Sequence, residues 1–309
     1  MKIVFLDTKT LGKDISLEKF NTLGEVIKYE TTNPSETLKR VQNCDVVVTN
    51  KVVLSKDIIE KSNFKLICIT ATGTNNIDLE AASNANIEVK NVSDYSTSSV
   101  SQVTFTLVLS LIQKLEYYKS YVDSLQWSNS NLFTHIDKPF FELKNKKWGI
   151  IGLGNIGKEV AKIASAFGCE VNYYSTSGKN LNTDYNSISL EELLKSSDII
   201  SIHSPLNDAT YNLLNKTNLN MLKEDGILVN VGRGGIINES DLSAKLDSDK
   251  SLYCGLDVVE KEPIEENNPL LKIKNKDRLI LTPHIAWASV EARTILLNKV
   301  FDNIKTFVL

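Results

Sequence analysis

The 309-residue chain contains no apolar run approaching the 18 or so residues of a membrane-spanning helix. Its first residues, Met1-Lys2-Ile3-Val4-Phe5-Leu6-Asp7, reach an acid after four apolar positions, too early for a signal-peptide core, so a cytoplasmic protein with no membrane partner is expected. Blocks of one charge are equally scarce. The 35 Lys and Arg stand against 38 Asp and Glu, a net charge of −3, and no basic stripe exists to displace counterions from a phosphate backbone, so nucleic acid is not an expected partner. Cysteine is limited to Cys44, Cys68, Cys169 and Cys254, far apart and without a C-x-x-C pair. That spacing points to small core residues in a reducing compartment rather than to a disulfide framework or a metal site. With 6 Pro, 14 Gly, 42% hydrophobic and 24% charged residues, the chain is neither collagenous nor disordered, and its length suits roughly two domains with ample core.

What is present is alternation. Short apolar, β-branched runs at Ile3 to Leu6, Val46 to Thr49, Leu66 to Thr70 and Ile87 to Val92 are separated by polar, helix-like stretches such as Ser16 to Thr22 and Ser35 to Val41. This is the pattern of βαβ units around a parallel sheet. A second series runs through Trp148 to Ile151, Val171 to Tyr174, Ile199 to Ile202, Ile227 to Val231, Leu252 to Leu256 and Leu279 to Thr282, predicting six strands in a second doubly wound sheet. Between the halves, Ser98 and Ser99 cap a predicted long helix in which Val100, Val103, Leu107, Leu111 and Leu115 share one stripe. A last helix is expected from about Ser289 to Val308.

Gly152-Leu153-Gly154-Asn155-Ile156-Gly157 is a G-x-G-x-x-G sequence placed after an apolar strand and before a helical pattern, Lys158 to Phe167. Gly152 permits a tight turn, Gly154 lets backbone approach a pyrophosphate, and Gly157 lets helix and strand pack closely. The helix's free N–H groups would then face the phosphates. About 20 residues on, where an NAD site carries Asp or Glu for the ribose 2′-OH, stands Ser175, followed by Thr176, Ser177 and Lys179. Two readings stay open: an NADP(H) site in which hydroxyls and a lysine meet the 2′-phosphate, or an NAD(H) site lacking one contact.

Only four arginines occur, and one of them, Arg233, lies in Gly232-Arg233-Gly234-Gly235 directly after an apolar strand, where parallel sheets bind ligands. A guanidinium there suits a carboxylate gripped in two places. His284 follows another strand, and its imidazole can exchange a proton near neutral pH, as the reduction of a ketone by hydride requires. Glu262 could hold that imidazole in one tautomer.

These residues, with Ala71-Thr72-Gly73-Thr74-Asn75-Asn76-Ile77-Asp78, Asn91 to Val100, His203-Ser204-Pro205-Leu206 with Thr210, and Leu228-Val229-Asn230-Val231-Gly232-Arg233-Gly234, resemble the D-isomer-specific 2-hydroxyacid dehydrogenase family over nearly the whole chain. Trp127-Ser128, Gly255 to Val258, Lys261-Glu262-Pro263, Asn268 to Leu271 and Pro283 to Ala288 look most like its glycerate dehydrogenase (hydroxypyruvate reductase) branch. The resemblance implies an α/β fold of two doubly wound parallel-sheet domains: a flavodoxin-like substrate domain, 1–98 with 287–309, and a Rossmann cofactor domain, 99–286, with a cleft between them that closes over substrate. It implies NAD(H) or NADP(H) as cofactor, a short 2-oxo or 2-hydroxy acid as substrate, no metal, and a homodimer formed through the cofactor domain. Arg233 would bind the substrate carboxylate and polarise the C2 carbonyl, His284 would deliver the proton, and Glu262 would support His284. Thr72 and Gly73 would hold the carboxylate's other side. Asn155 and Ile156 would face the pyrophosphate, Asp257 and the main chain at Val231 would receive the nicotinamide carboxamide, and Thr104, Ser175, Thr176, His203, Pro205, Thr210 and Gly232 would complete the cofactor site beside Arg233 and His284.

A formate dehydrogenase, which shares the fold, would carry glutamine where Glu262 stands. A cofactor-sensing corepressor or scaffold of the same fold would bind the dinucleotide with little turnover, so rates above roughly 1 s⁻¹ separate it from an enzyme. Trp287 beside His284 either narrows the pocket or seals the core.

Overall fold

The computed structural model describes residues 1–179, 184–248 and 252–308. They form two compact units, Met1–Ser96 with Trp287–Leu309, and Thr97–Ala286. In the first unit, β1 (Lys2–Phe5), β2 (Glu25–Lys28), α1 (Pro34–Val41), β3 (Val46–Thr49), α2 (Lys56–Glu60), β4 (Leu66–Ile69), α3 (Leu79–Asn84) and β5 (Glu88–Lys90) build a parallel sheet ordered β2-β1-β3-β4-β5. Its central strands are buried on both faces, as their nearly unbroken Val, Ile and Leu content requires. Side chains alternate between two cores. Ile3, Phe5, Val46 and Val48 enter one, and Val4, Leu6, Val47 and Ile67 enter the other against α1 to α3.

The second unit runs α4 (Thr97–Gln113), α5 (Leu115–Asp123), β6 (Lys147–Ile151), α6 (Asn155–Ala166), β7 (Glu170–Tyr174), β8 (Asn186–Ser187), α7 (Leu190–Ser196), β9 (Ile199–Ile202), α8 (Lys216–Leu219), β10 (Ile227–Asn230), α9 (Glu239–Leu246), β11 (Tyr253–Leu256) and β12 (Leu279–Leu281). All seven strands are parallel in the order β12-β11-β10-β9-β6-β7-β8, so the chain winds one way from β6 and returns to wind the other way from β9. The last helix, α10 (Val290–Val308), belongs to the first unit, where Leu296, Leu297, Val300 and Ile304 join Phe5 and Phe20 in one core. Trp287, partly buried, packs on that core, edge-to-face with Tyr95.

The α/β class and the parallel sheets follow the sequence pattern, with differences at weak signals. β2 and the two-residue β8 are additional edge strands. Glu25-Val26-Ile27-Lys28 offers only two apolar residues between charges, and Asn186-Ser187 offers none. Residues 18–22 form a 3₁₀ turn instead of an α-helix. Helix α6 starts at Asn155, earlier than the apolar pattern suggested, because its first residues face outward from the glycine turn. Ser98 and Ser99 lie inside the first turn of α4 and do not cap it, and Ser99 Oγ donates to the Ala286 carbonyl at 2.6 Å. The helix stops at Gln113, because Lys114 adopts left-handed backbone (φ 51°). The stripe therefore ends at Leu111, 3% exposed, and Leu115 is 58% exposed.

All four cysteines are free and buried, and burial pushes the Cys44 and Cys68 thiols up to about 12, leaving them unreactive. No helix among the described residues is long and apolar enough to cross a membrane.

The new helix boundary gives a stability test. Leu111→Ala should cost about 2–5 kcal/mol through the cavity it leaves, and Leu115→Ala about 0.5 kcal/mol or less. Urea midpoints at constant m-value check it; similar losses at both positions would contradict the assigned helix end.

Candidate active site

β6 and β9 are neighbours at the point where the strand order reverses, so the segments leaving their carboxyl ends flank the switch point of the sheet. β6 leads into the glycine loop. Gly152 has φ +91°, its N–H donates to the Tyr174 carbonyl at 3.0 Å, and a Cβ there would lie 2.9 Å from the Ser204 backbone nitrogen. A Cβ on Gly157 would lie 2.3 Å from the Gly152 carbonyl oxygen. Beside Gly154, in contrast, nothing stands within 4 Å of the Cβ position. Gly154 is the N-cap of α6 and has no side chain with which to cap the first turn of this 12-residue helix, where the helix dipole favours an anion. This open, donor-lined cradle fits a dinucleotide pyrophosphate.

β7 ends at Tyr174, and Ser175 follows with its Oγ buried and unpartnered; Thr176 is half-buried beside it. Lys179 is exposed, and the next residues, 180–183, lie outside the described ones. From β9, the His203 N–H donates to the Ile151 carbonyl at 2.8 Å, tying the two switch-point segments together. Thr210, fully buried, closes the following loop by donating to the Pro205 carbonyl at 2.7 Å and accepting from the Asn207 N–H at 2.8 Å. Thr104 is also fully buried, and its hydroxyl donates to the Val100 carbonyl at 2.8 Å.

The candidate chemical groups stand beyond β10, β11 and β12, three adjacent strands. β10 ends at Asn230, which is 2% exposed; its Oδ1 accepts from the Gly232 N–H at 3.0 Å and its Nδ2 donates to the Arg233 carbonyl at 2.8 Å. The turn is compressed. A Cβ on Gly234 would sit 1.9 Å from the Val259 carbonyl oxygen, and one on Gly232 2.9 Å from that of Ser204. Val231 is buried between them, while Arg233 is exposed, its only described guanidinium contact a 2.7 Å bond to the neighbouring Gly232 carbonyl. Sequence reasoning gave Asn230 no role; an asparagine two residues before a glycine, the setting of an Asx turn, was the signal available.

Asp257 follows β11 at 1% exposure. Its N–H donates to the Asn230 carbonyl at 3.0 Å and its own carbonyl accepts from the His284 N–H at 2.9 Å. Its carboxylate accepts from the Thr282 hydroxyl (2.6 Å) and the N–H groups of Ile285 (2.8 Å) and Ala286 (2.8 Å). Those bonds hold His284 in left-handed backbone (φ 53°), a conformation uncommon for a residue with a Cβ. The imidazole Nδ1 lies 2.7 Å from Glu262 Oε2, and both side chains are about a quarter to a third exposed. A carboxylate only accepts, so Nδ1 carries the hydrogen of that bond and Nε2 is left to hold or release a proton.

Thr72 and Gly73 belong to the first unit. The Thr72 hydroxyl donates to the Val92 carbonyl at 3.0 Å, its carbonyl accepts from Asn91 Nδ2 at 2.6 Å, and the N–H groups of Thr72 and Gly73 have no acceptor among the described residues. His135, at 16% side-chain exposure, stacks on Tyr121 and bonds the Tyr117 hydroxyl at 2.7 Å. Among the described residues no cluster of His, Cys, Asp or Glu has metal-binding geometry.

Glycine turn, switch point and strand-end arginine define a dinucleotide-binding α/β oxidoreductase. Residues 105–286 match the family described as D-isomer specific 2-hydroxyacid dehydrogenase, NAD binding domain. The chain is 37% identical to the hydroxypyruvate reductase of Blautia hydrogenotrophica, covering 99% of this chain and 97% of the relative, and 34% identical to the glycerate dehydrogenase of Methylorubrum extorquens, covering 99% and 96%. Among solved structures it is similar to an acyclic imino acid reductase in complex with NADPH and D-Arg, with a TM-score of 0.85 and 28% identity over 100% of this chain and 97% of that one. The chain belongs to the D-isomer specific 2-hydroxyacid dehydrogenase family: it is an NAD-dependent oxidoreductase acting on CH–OH donors.

His203 offers a pH test. Burial pushes its imidazole down to about 3; Nε2 lies 2.9 Å from the Ser201 hydroxyl, and Nδ1 is buried without a partner. The folded state thus keeps the ring neutral, whereas the unfolded chain takes up a proton below about pH 6.5, so stability falls as pH drops from about 6.5 towards 3. Between pH 7 and 5.5 the wild type should lose about 1 kcal/mol more than His203→Asn in urea unfolding. Equal losses would mean that the ring is not enclosed.

Proposed function

We propose that the protein reduces a short 2-oxo acid, hydroxypyruvate or glyoxylate foremost, to its D-2-hydroxy acid with NADH or NADPH. The observation that carries this reading is the His284–Glu262 pair, set by Asp257 on the same group of strand ends as Arg233. The names of the relatives, hydroxypyruvate reductase and glycerate dehydrogenase, agree with it. The glycine loop, the helix N-terminus at Asn155 and Ile156, and the segments at Ser175–Thr176 and 203–210 hold the dinucleotide. Val231 and Gly232 line it through their backbone, and Asp257, whose carboxylate keeps one acceptor site beyond its three bonds, meets the carboxamide with the Val231 carbonyl. Bound there, the nicotinamide supplies hydride to C2 or removes it.

The protein's own groups manage charge and protons. Arg233 grips the substrate carboxylate and polarises the C2 carbonyl. Negative charge grows on the carbonyl oxygen during reduction, where a fixed guanidinium acts most strongly. His284 passes its Nε2 proton to that oxygen, and Glu262 stabilises the imidazolium and fixes the ring. Glu262 is also the residue that argues against formate oxidation, a reaction with no such proton to handle.

Two further parts of the reading concern cofactor choice and assembly. Without a carboxylate at Ser175, with its Oγ unpartnered and Lys179 nearby in sequence, the site repels no 2′-phosphate, so discrimination between NADH and NADPH is weak. Leu125, Trp127, Leu132, Phe133 (90% exposed), Ile136 and Phe140 expose an apolar surface on the second unit, which a homodimer would cover. Sedimentation equilibrium should give about twice the 34.5 kDa chain mass, and Phe133→Asp should lower it; a wild-type monomer contradicts the dimer.

The deciding experiment is a panel of glyoxylate, hydroxypyruvate, pyruvate and bulkier 2-oxo acids assayed with each nicotinamide. Turnover above roughly 1 s⁻¹ on hydroxypyruvate or glyoxylate is expected, and dinucleotide binding without turnover would instead favour a cofactor-sensing role. In the same assays Arg233→Ala should lower kcat/KM about a thousandfold or more. Activity within tenfold of wild type removes Arg233 from its role, and a hundredfold advantage for NADH ends the claim of weak discrimination.

A further inference from the structure

Glu262 does not meet His284 from a strand or a helix. Residues 257–268, between β11 and a 3₁₀ turn at Pro269–Lys272, run as irregular backbone, the kind of segment whose conformational freedom works against a fixed side chain. The Glu262 carboxylate is nevertheless held at both oxygens. Oε2 faces the imidazole Nδ1 at 2.7 Å, and Oε1 accepts from the Val259 N–H at 3.3 Å, a bond back into the same loop. The direction of Glu262 therefore depends on the backbone at Val259 and Glu260.

The peptide that joins those two residues is held from two sides. Its carbonyl lies against Gly234, where an added Cβ would stand 1.9 Å from the Val259 oxygen and 2.4 Å from the Glu260 nitrogen. Its N–H, on Glu260, donates to Glu239 Oε1 at 2.6 Å. Glu239 is half-buried and is the first residue of α9, after the Asn238 cap. Its other oxygen, Oε2, accepts from Asn268 Nδ2 at 2.6 Å, while Asn268 Oδ1 accepts from the Leu270 N–H at 2.9 Å. One carboxylate thus ties both ends of the stretch 260–268, with Glu262 between them. A carboxylate suits the place because both of its partners are donors. All of these groups, with His284 and Arg233, lie in the second unit.

We infer that Glu239 is a positioning residue for the acid–base pair: by holding the Val259–Glu260 peptide it keeps Glu262 on the Nδ1 side of His284. The inference rests on the function proposed above, in which that pair handles the proton. Glu239 acts through Glu262 and contacts neither substrate nor cofactor, so its loss slows the proton-transfer step and leaves binding intact.

The test is a double-mutant cycle on the reduction of hydroxypyruvate or glyoxylate. Glu239→Ala should lower kcat about tenfold, with KM for the oxo acid and the Kd for NADH, read by fluorescence titration, within twofold of wild type. In an enzyme already carrying Glu262→Gln the same change should cost less than twofold, because the charged partner of His284 is already gone. Hydrogen–deuterium exchange at the Glu260 N–H should quicken at least tenfold in Glu239→Ala, a readout independent of turnover. The thermal midpoint checks folding, and if Glu239→Ala does not fold, a gentler pair decides. Glu239→Gln leaves one donor facing an NH₂ group whichever way its amide turns, so kcat should fall; adding Asn268→Asp restores the match and should return kcat to within twofold of wild type. An unchanged kcat or unchanged exchange in Glu239→Ala, an equal loss in both backgrounds, or no recovery in the pair overturns the inference. A wild type that reduces no 2-oxo acid overturns the proposed function, and the inference falls with it.

Discussion

The carboxylate of Asp257 is the constraint on which the chemical end of the second unit depends. A buried charge needs its acceptor sites filled, and here they are filled by a hydroxyl and two backbone N–H groups of one short turn. The turn cannot relax without stranding that charge, which is how His284 stays in a backbone conformation its Cβ disfavours. Through its own backbone Asp257 also bonds Asn230, and Asn230 shapes the arginine turn with both ends of its side-chain amide. Guanidinium and imidazole, 51 positions apart in sequence, are thus referred to a single buried residue.

Close backbone approach is the second constraint, and it explains why glycine crowds these loops. The Ser204 segment is met by Gly152 from one side and Gly232 from the other, and Gly234 is pressed on the Val259 carbonyl. Side chains at these positions would force apart the ends of β6, β9, β10 and β11. The fold thus brings the glycine loop and the arginine turn to one side of the sheet, because strands that pair in parallel deliver their carboxyl ends to one edge.

Much of this was legible in the sequence where the signal is local and strong. Fully buried parallel strands such as Val46-Val47-Val48 announce themselves as unbroken apolar runs, and G-x-G-x-x-G between strand and helix is a compact pattern. Elements whose formation rests on tertiary pairing were not legible: β2 and β8 are edge strands with little apolar content, and Leu115 continued the helical spacing although the backbone turns left-handed one residue earlier. At the site, residue type suggested His284 and Glu262 as partners, and the fold places them 2.7 Å apart. Asn230 and Asp7 escaped notice because their partners are mostly backbone groups, which no side-chain pattern records.

Both units use one device at their strand ends, a buried polar side chain spent on backbone N–H groups: Asp7 after β1, Asn230 and Asp257 after β10 and β11. The device has a physical reason. Loops that bind small anions must present donors at fixed positions, and a loop's own conformational entropy, about 1–2 kcal/mol per residue, works against that. Anchoring the backbone from below leaves the exposed Arg233 without a bond to another side chain among the described residues. Such a group can be replaced without unfolding the edge that carries it.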